Sequence, residues 1–516
     1  MKDGAATAVG ESDAAGIGRE MSAPVRAVGI SADLVCGVVS TMVTAGYASL
    51  CGLIDGRRGR RELLGMFPAP TEDVVAASIL DSLEKISFVT TTCGPVAWLG
   101  PEPADLLTRL VALRDGPART MLVIPATADC PVYVFAVPGE AMGLPAVLKG
   151  WGGSAGAGLS LRHAAMSCLF EAAERCSQMR TGGEEVEFAP FDAVANVAVH
   201  PDALLLDGGA ANARAAPGGT PIRPLDRGEP IAWVPAVDLL TGDKRLLPAD
   251  YCYRSPDRSG PGWTCPADST GCAAGTSLPD IAFRGFLEAV ERDAVAIWWF
   301  NRIRRPGCVI TGAGTDAVIA WQTSRGRQCH LLDLTTDLGV PVRVAVSHDE
   351  SGRRIAVGFG AHFDADIASL RAVLEMMQFQ LMVEMSTGFR DRGHLDAASP
   401  STQAALQWFD EVSIESEPYL LPDPTALPIA RPMPPEGSDA ALDRCGEIAR
   451  EHRLDLLFVE MTRSWIGLPA GRVVVPGLRS MKRRTGGGRL YDVPVTLGWL
   501  KAPHVAAQLN PREIVF

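Results

Sequence analysis

One chemically loaded pattern repeats along this chain. Glu171, Glu174 and Arg175 recur in register as Glu288, Glu291 and Arg292. An i, i+3 spacing puts both carboxylates of each run on one helical face, with the arginine beside them. Within residues 160–175, Ser167, Glu171 and Glu174 fall inside about 60° on the helical wheel. Ala164, Ala165, Leu169 and Ala173 leave too few charges there for an ordinary solvated face. Within residues 277–294, Phe283, Phe286, Leu287 and Val290 form an apolar stripe that should bury most of the helix. A third, more worn copy lies at residues 364–378, where Glu375 aligns with Glu288 and Gln378 takes the place of the second acid. That swap keeps a ligand oxygen and removes a charge. Three such helices converging would gather about five carboxylates, which bound cations and arginines must neutralise. The repeated acids therefore predict one shared cation site.

The elements that must position these acids share an order. Each acid helix follows a Gly-rich run, at residues 149–158, 269–276 and 357–360. The first reads as a loop that could turn backbone N–H groups toward a phosphate at a helix N-terminus, although no G-x-x-x-x-G-K-[ST] run occurs. Strands are expected at 120–124, 132–137, 231–239, 245–247, 330–332, 341–347, 456–461 and 472–475, with a turn at Thr241-Gly242-Asp243. Residues 186–200 also read as strands and hairpins. Residues 417–440 are Pro-rich and read as a surface loop, and the final residues should wrap back onto the main body. The fold class is α/β (α+β): an internally duplicated sheet-and-helix unit.

Composition narrows the function. A chain of 516 residues exceeds one ordinary core, so two domains are expected. The hydrophobic content of 47% and charged content of 21% describe a soluble globular protein. A net charge of -12 argues against nucleic acid as a partner, because phosphate neutralisation needs a basic surface. The 12 cysteines contain no C-x-x-C pair, so neither a zinc knuckle nor a redox motif is visible, and free thiols in a reducing cytoplasm fit. His163 and His330 stand alone and make poor candidates for bases; a cysteine nucleophile is equally weak. Residues 1–27 are small and polar, lack a signal-peptide pattern and read as disordered. Residues 34–54 are uncharged but diluted by Gly, Ser and Thr, so no membrane span is expected.

Residues 28–98 continue through Leu50, Asp55-Gly56 and Arg58 into a short helix, a Thr71-capped helix and a β-branched strand at 86–91. This is a winged-helix order without a basic recognition face. It resembles the PqqD-type peptide-recognition modules, in which an extended leader peptide adds to a sheet edge.

Residues 99–516 resemble the YcaO family, specifically the catalytic partner of azoline-forming cyclodehydratases that modify ribosomal peptides. The matching runs are Ser167-x-x-x-Glu171-x-x-Glu174-Arg175, TGCAAG at 270–275, LEAVERDAVAIWW at 287–299, DLTTDLGVPV at 333–342, Glu375-x-x-Gln378, VVVPGL at 473–478 and GRLYDVP at 488–494. The resemblance implies that Glu171, Glu174, Glu288 and Glu291 hold Mg2+ against ATP phosphates. Ser167, Glu375 and Gln378 would complete the nucleotide site, and Arg175 and Arg292 would pair with phosphate or with those acids. It further implies that Cys, Ser or Thr of a ribosomal precursor peptide adds to the preceding amide, whose oxygen is phosphorylated and lost. A separate leader-binding partner protein is implied, and a homodimer is compatible. Thioamide or amidine formation on the same ATP site, and a catalytically inactive docking scaffold, are the alternatives. Many azoline-forming members end in Pro-x-Pro-x-Pro, whereas this chain ends Asn510-Pro511-Arg512-Glu513-Ile514-Val515-Phe516.

Overall fold

Among the described residues every strand pair is antiparallel, and the strands form three sheets around one buried helix. The structure is a computed structural model that describes residues 109, 122–124, 129–137, 153–206, 224–255, 264–310, 312–391, 400–425 and 434–515. The expected disordered N-terminus and the module at 28–98 lie outside the described residues.

The first sheet orders β1 (Leu122–Val123), β2 (Tyr133–Val137) and β3 (Ser154–Gly158). Helix α1 (Leu161–Ser177) follows β3 and begins where the Ser160 hydroxyl accepts from the His163 N–H at 3.2 Å, satisfying one orphan donor of its first turn. The second sheet orders β10 (Ala356–Ala361), β9 (Val342–Asp349) and β8 (Arg327–Asp333). Strand β9 is buried along nearly its whole length because both faces are covered. The third sheet runs β4 (Glu187–Pro190), β5 (Pro230–Asp238), β11 (Leu457–Glu460), β12 (Ala470–Val474) and β7 (Cys272–Ala274), with β6 (Lys244–Pro248) also on β5. The β5–β6 hairpin turns at Gly242, whose φ of 80° suits glycine.

Helix α2 (Leu278–Asn301) starts at the Ser277 cap, has Pro279 in its first turn and stops at Arg302 in the left-handed conformation. Its C-terminal half, from Asp293 to Asn301, is buried on all sides. The cluster containing Trp298, Trp299 and Phe300 also holds Val344, Val357, Phe458 and Val473, so α2 bridges the second and third sheets. Helix α4 (Ala365–Asp391) lies on β10 and β9 and touches β3, while α3 (Ala313–Ser324) packs on β8 and α4. Two shorter helices, α5 (Pro400–Glu411) and α6 (Gly437–Glu451), flank the core, and α7 (Arg489–Thr496) lies against α2.

Several expectations change. Over its described residues the first Gly-rich run is no loop, since Ser154–Gly158 is strand β3, and residues 272–274 and 356–361 are strands β7 and β10. Their glycines allow close packing. A Cβ on Gly156 would come within 3.0 Å of Cys168 N and Ala164 O on α1, and one on Gly360 within 3.0 Å of Ala372 N and Ala368 O on α4. Of residues 186–200 only Glu187–Pro190 is strand, and Phe191–Val194 forms a helical turn. The Pro-rich run opens inward, because Tyr419 and Leu420 are buried against Trp298 and Trp299. The tail does return to the body: Asn510 donates to Trp299 O at 3.3 Å and to Tyr419 Oη at 3.2 Å, and Trp299 Nε1 donates to Arg512 O at 2.9 Å.

Candidate active site

All three acid helices use the same local device. The first carboxylate of each reaches back to a backbone N–H of the preceding strand or, in the second copy, of the turn residue that leads into it. Glu171 Oε2 accepts from Ala155 N at 2.9 Å and Glu375 Oε2 from Phe359 N at 2.5 Å, each across 16 residues. Glu288 Oε2 accepts from Gly271 N at 3.0 Å across 17 residues. The matched glycine contacts of Gly156 and Gly360 show why the first and third registers agree: each glycine lets its helix seat at the same height on its strand. Gly271 instead meets Val473 O of β12, so the second copy is set against a different sheet and its acid pairs one residue further out.

The arginine one turn on pairs with the first acid. Arg175 donates to Glu171 Oε1 from Nε at 3.2 Å and Nη2 at 2.8 Å, and Arg292 donates to Glu288 Oε1 from Nε at 3.4 Å and Nη2 at 3.1 Å. Arg292 Nε also lies 3.9 Å from Glu291 Oε1, and its Nη1 meets Met481 Sδ. Glu174 Oε1 accepts from Gln178 Nε2 at 2.8 Å.

The five acids sense one another, which shows that the helices converge. Burial holds the Glu174 carboxyl well above the usual range, and Glu288 pushes it further. Glu288 is raised by burial, an effect opposed by Arg292 and reinforced by Glu291 and Asp268. Burial and the charge on Glu375 push Glu291 up to about 7 against the pull of Arg292. Glu375 is raised by burial with contributions from Glu288 and Glu171. The side chains nevertheless reach solvent, since those of Glu171, Glu288 and Glu291 are 28%, 21% and 13% exposed. The site gathers five carboxylates, and the arginines paired with them at close range are Arg175 and Arg292.

The remaining expected residues sit at its margins. Ser167 is exposed one turn before Glu171, and Gln378 is half-buried one turn after Glu375. Sequence reading missed three charged neighbours. Asp268 pairs with the fully buried Arg472 at 3.0 Å. Arg254 lies beside Arg175, Asp268 and Glu174, and burial and Arg175 push its guanidinium down to about 10. Arg371 donates from Nη1 to Ala361 O at 3.1 Å and faces Glu291. Only Arg371 carried a legible signal, because it stands four residues before Glu375 as Ser167 stands before Glu171.

The model of the YcaO cyclodehydratases, described as ATP- and Mg2+-binding, matches residues 155–479. The chain is a member of the YcaO family. A 340-residue stretch is 28% identical to an uncharacterized protein of Methanothermobacter thermautotrophicus, covering 63% of this chain and 81% of that protein. Among solved structures, a heterocyclase in complex with substrate and cofactor matches at a TM-score of 0.69 and 32% identity over 77% of this chain. This YcaO chain covers 54% of that heterocyclase, about half its length. The YcaO protein of Methanopyrus kandleri bound with AMPPCP and Mg2+ shares the fold at a TM-score of 0.53 and 20% identity, over 73% of this chain and 91% of that one.

The donors suit the family's ligands. They are hard carboxylate oxygens whose proton affinity is raised by burial and then by neighbouring carboxylates, an environment a divalent cation would relieve. Among the described residues no three His, Cys, Asp or Glu groups close a metal cage. Also among the described residues, no helix is long and apolar enough to cross a membrane.

Proposed function

We propose that this protein uses ATP and Mg2+ to cyclodehydrate Cys, Ser or Thr residues of a ribosomal precursor peptide to azolines, with a separate protein presenting the leader. The carrying observation is the convergence of Glu171, Glu174, Glu288, Glu291 and Glu375, each first acid pinned by a backbone N–H. In the reaction the peptide's thiol or hydroxyl closes on the preceding amide carbon, and the amide oxygen must depart. Bound Mg-ATP supplies the phosphoryl group that converts this oxygen into a phosphate leaving group, so the elements of water leave as part of inorganic phosphate.

The chain's own residues prepare that step. The backbone N–H bonds fix one oxygen of Glu171, Glu288 and Glu375 and so aim the other without reorganisation, which is how preorganised electrostatics gains its effect. Glu171, Glu174, Glu288 and Glu291 would hold the metal ions, with Glu375, Gln378 and Ser167 completing the nucleotide site. Arg175 and Arg292 are oriented by Glu171 and Glu288 and would place positive charge on the phosphates.

The test is reconstitution with Mg-ATP, precursor peptide and leader-binding partner. A product lighter by about 18 Da per ring supports the proposal, and a gain of about 16 Da would indicate sulfur exchange on the same activated amide. A Glu171→Ala variant that formed azoline at the wild-type rate would overturn the site assignment.

A further inference from the structure

Two histidines outside the acid cluster share one face of the second sheet. His330 on β8 lies opposite Val346 of β9, and His348 stands two residues further along β9, so the rings are diagonal neighbours across the strand pair. Their centroids are 5.6 Å apart, with ring planes at 32°. His348 is 5% exposed and His330 is half-buried. His348 Nδ1 lies 2.8 Å from the Asp349 carbonyl oxygen, which can only accept, so in the neutral ring Nδ1 carries the proton and Nε2 presents a lone pair. The Nε2 atoms of both rings are buried, and neither has a hydrogen-bond partner. Native interiors rarely leave such atoms unmet. A proton is a poor remedy, because burial and His348 hold the His330 imidazole below its ordinary value and among the described residues no carboxylate pulls it back.

We propose that His330 and His348 form a binding site for a cuprous ion, which ties β8 to β9. Imidazole nitrogen suits copper, and the closed-shell cuprous ion is satisfied by two ligands. Among the described residues no third His, Cys, Asp or Glu joins the pair, so an ion that demands four protein ligands has no cage here. The cost of stripping water from an ion rises with the square of its charge, so a site built from two neutral ligands favours a monovalent ion over a divalent one. An ion about 2 Å from each Nε2 sets the ring centres roughly 5–6 Å apart, in keeping with the separation of His330 and His348. The bond from Nδ1 to the Asp349 carbonyl holds the His348 ring in the tautomer that a metal needs.

Anaerobic titration of the full chain with Cu+, in competition with bicinchoninate, tests this. Because thiols also bind copper, the wild type is compared with His330→Leu, His348→Leu and the double variant, and X-ray absorption identifies the ligand atoms. The wild type should bind one more Cu+ than the double variant, with nitrogen neighbours at about 2 Å. Each single variant should lose affinity for that ion by at least the roughly tenfold to hundredfold that an outer-shell partner of a metal-bound histidine is worth. Cu+ should raise the melting temperature of the wild type more than that of the double variant, since the ion binds the folded pair alone. Without metal the double variant should melt at or above the wild type, because it removes two unmet polar atoms. His348→Gln, which stays polar, guards against loss of fold and should lose the same ion. Equal Cu+ stoichiometry and affinity in the wild type and the double variant would overturn the inference. Sulfur-only scattering, or tighter uptake of Zn2+ than of Cu+ at the pair, would overturn it as well.

Discussion

Replacing Glu291 with Gln separates the cost of gathering the acids from their use. The carboxyl is pushed up to about 7 from an ordinary 4.5, chiefly by burial and then by Glu375. At about 1.4 kcal/mol per unit, that shift corresponds to a penalty on the order of 3 kcal/mol for keeping Glu291 ionised in the ligand-free protein above pH 7. The side chain is only 13% exposed, so solvent screening removes little of this. Because the folded carboxyl binds its proton more tightly than the unfolded one, the folded state holds more protons between pH 4.5 and 7. Ligand-free stability contributed by this group is therefore greatest below pH 4.5 and is lost as the pH rises through 7. The substitution also removes the 3.9 Å approach of Arg292, but Arg292 keeps both bonds to Glu288, so relief of the acid cluster wins. Urea melts at pH 8 should show Glu291→Gln more stable than the wild type by up to about 3 kcal/mol, with the gap closing toward pH 5. Mg-ATP at a hundredfold excess over the wild-type Kd should close most of that gap, because the wild type gains about 2.7 kcal/mol and the variant gains much less. Equal stability of the two ligand-free proteins at pH 8, with the same pH slope, would refute the electrostatic account.

Gly156→Ala and Gly360→Ala should each cost more than about 3 kcal/mol or abolish soluble folding, since the new methyl group meets the backbone of α1 or α4 rather than a movable side chain. Gly183→Ala, whose Cβ would meet nothing within 4 Å, should melt near the wild type in the same thermal scan. Arg489 donates to both oxygens of the fully buried Asp293 on α2 and to both oxygens of Asp337. Arg489→Met should therefore cost about 3–5 kcal/mol by stranding Asp293, and adding Asp293→Asn should recover a large part of it in a denaturant-based double-mutant cycle.

The acid helices were legible because their evidence is local. Spacing of three and four residues is set by helical geometry alone, and Glu171, Glu174, Glu288, Glu291 and Glu375 do meet as the repeated pattern implied. The hairpin at Gly242 and strands β8, β9, β11 and β12 were equally local, read from turn chemistry and apolar runs. The first Gly-rich run misled for the opposite reason. A glycine says only that no Cβ fits, and whether a phosphate or a packed helix occupies the space depends on an element elsewhere in the chain. The Pro-rich run at 417–440 misled in the same way, because Tyr419 is buried by the distant Trp298 and Trp299.

By itself, then, the sequence determined which side chains share a helical face and that the same strand-and-helix unit recurs, since both follow from backbone periodicity. Tertiary structure alone decided that the backbone N–H groups of Ala155, Gly271 and Phe359 orient the acids, and that Met481 and Asp268 join them. These are contacts between segments remote along the chain, and the seating of three helices on three sheets sets them.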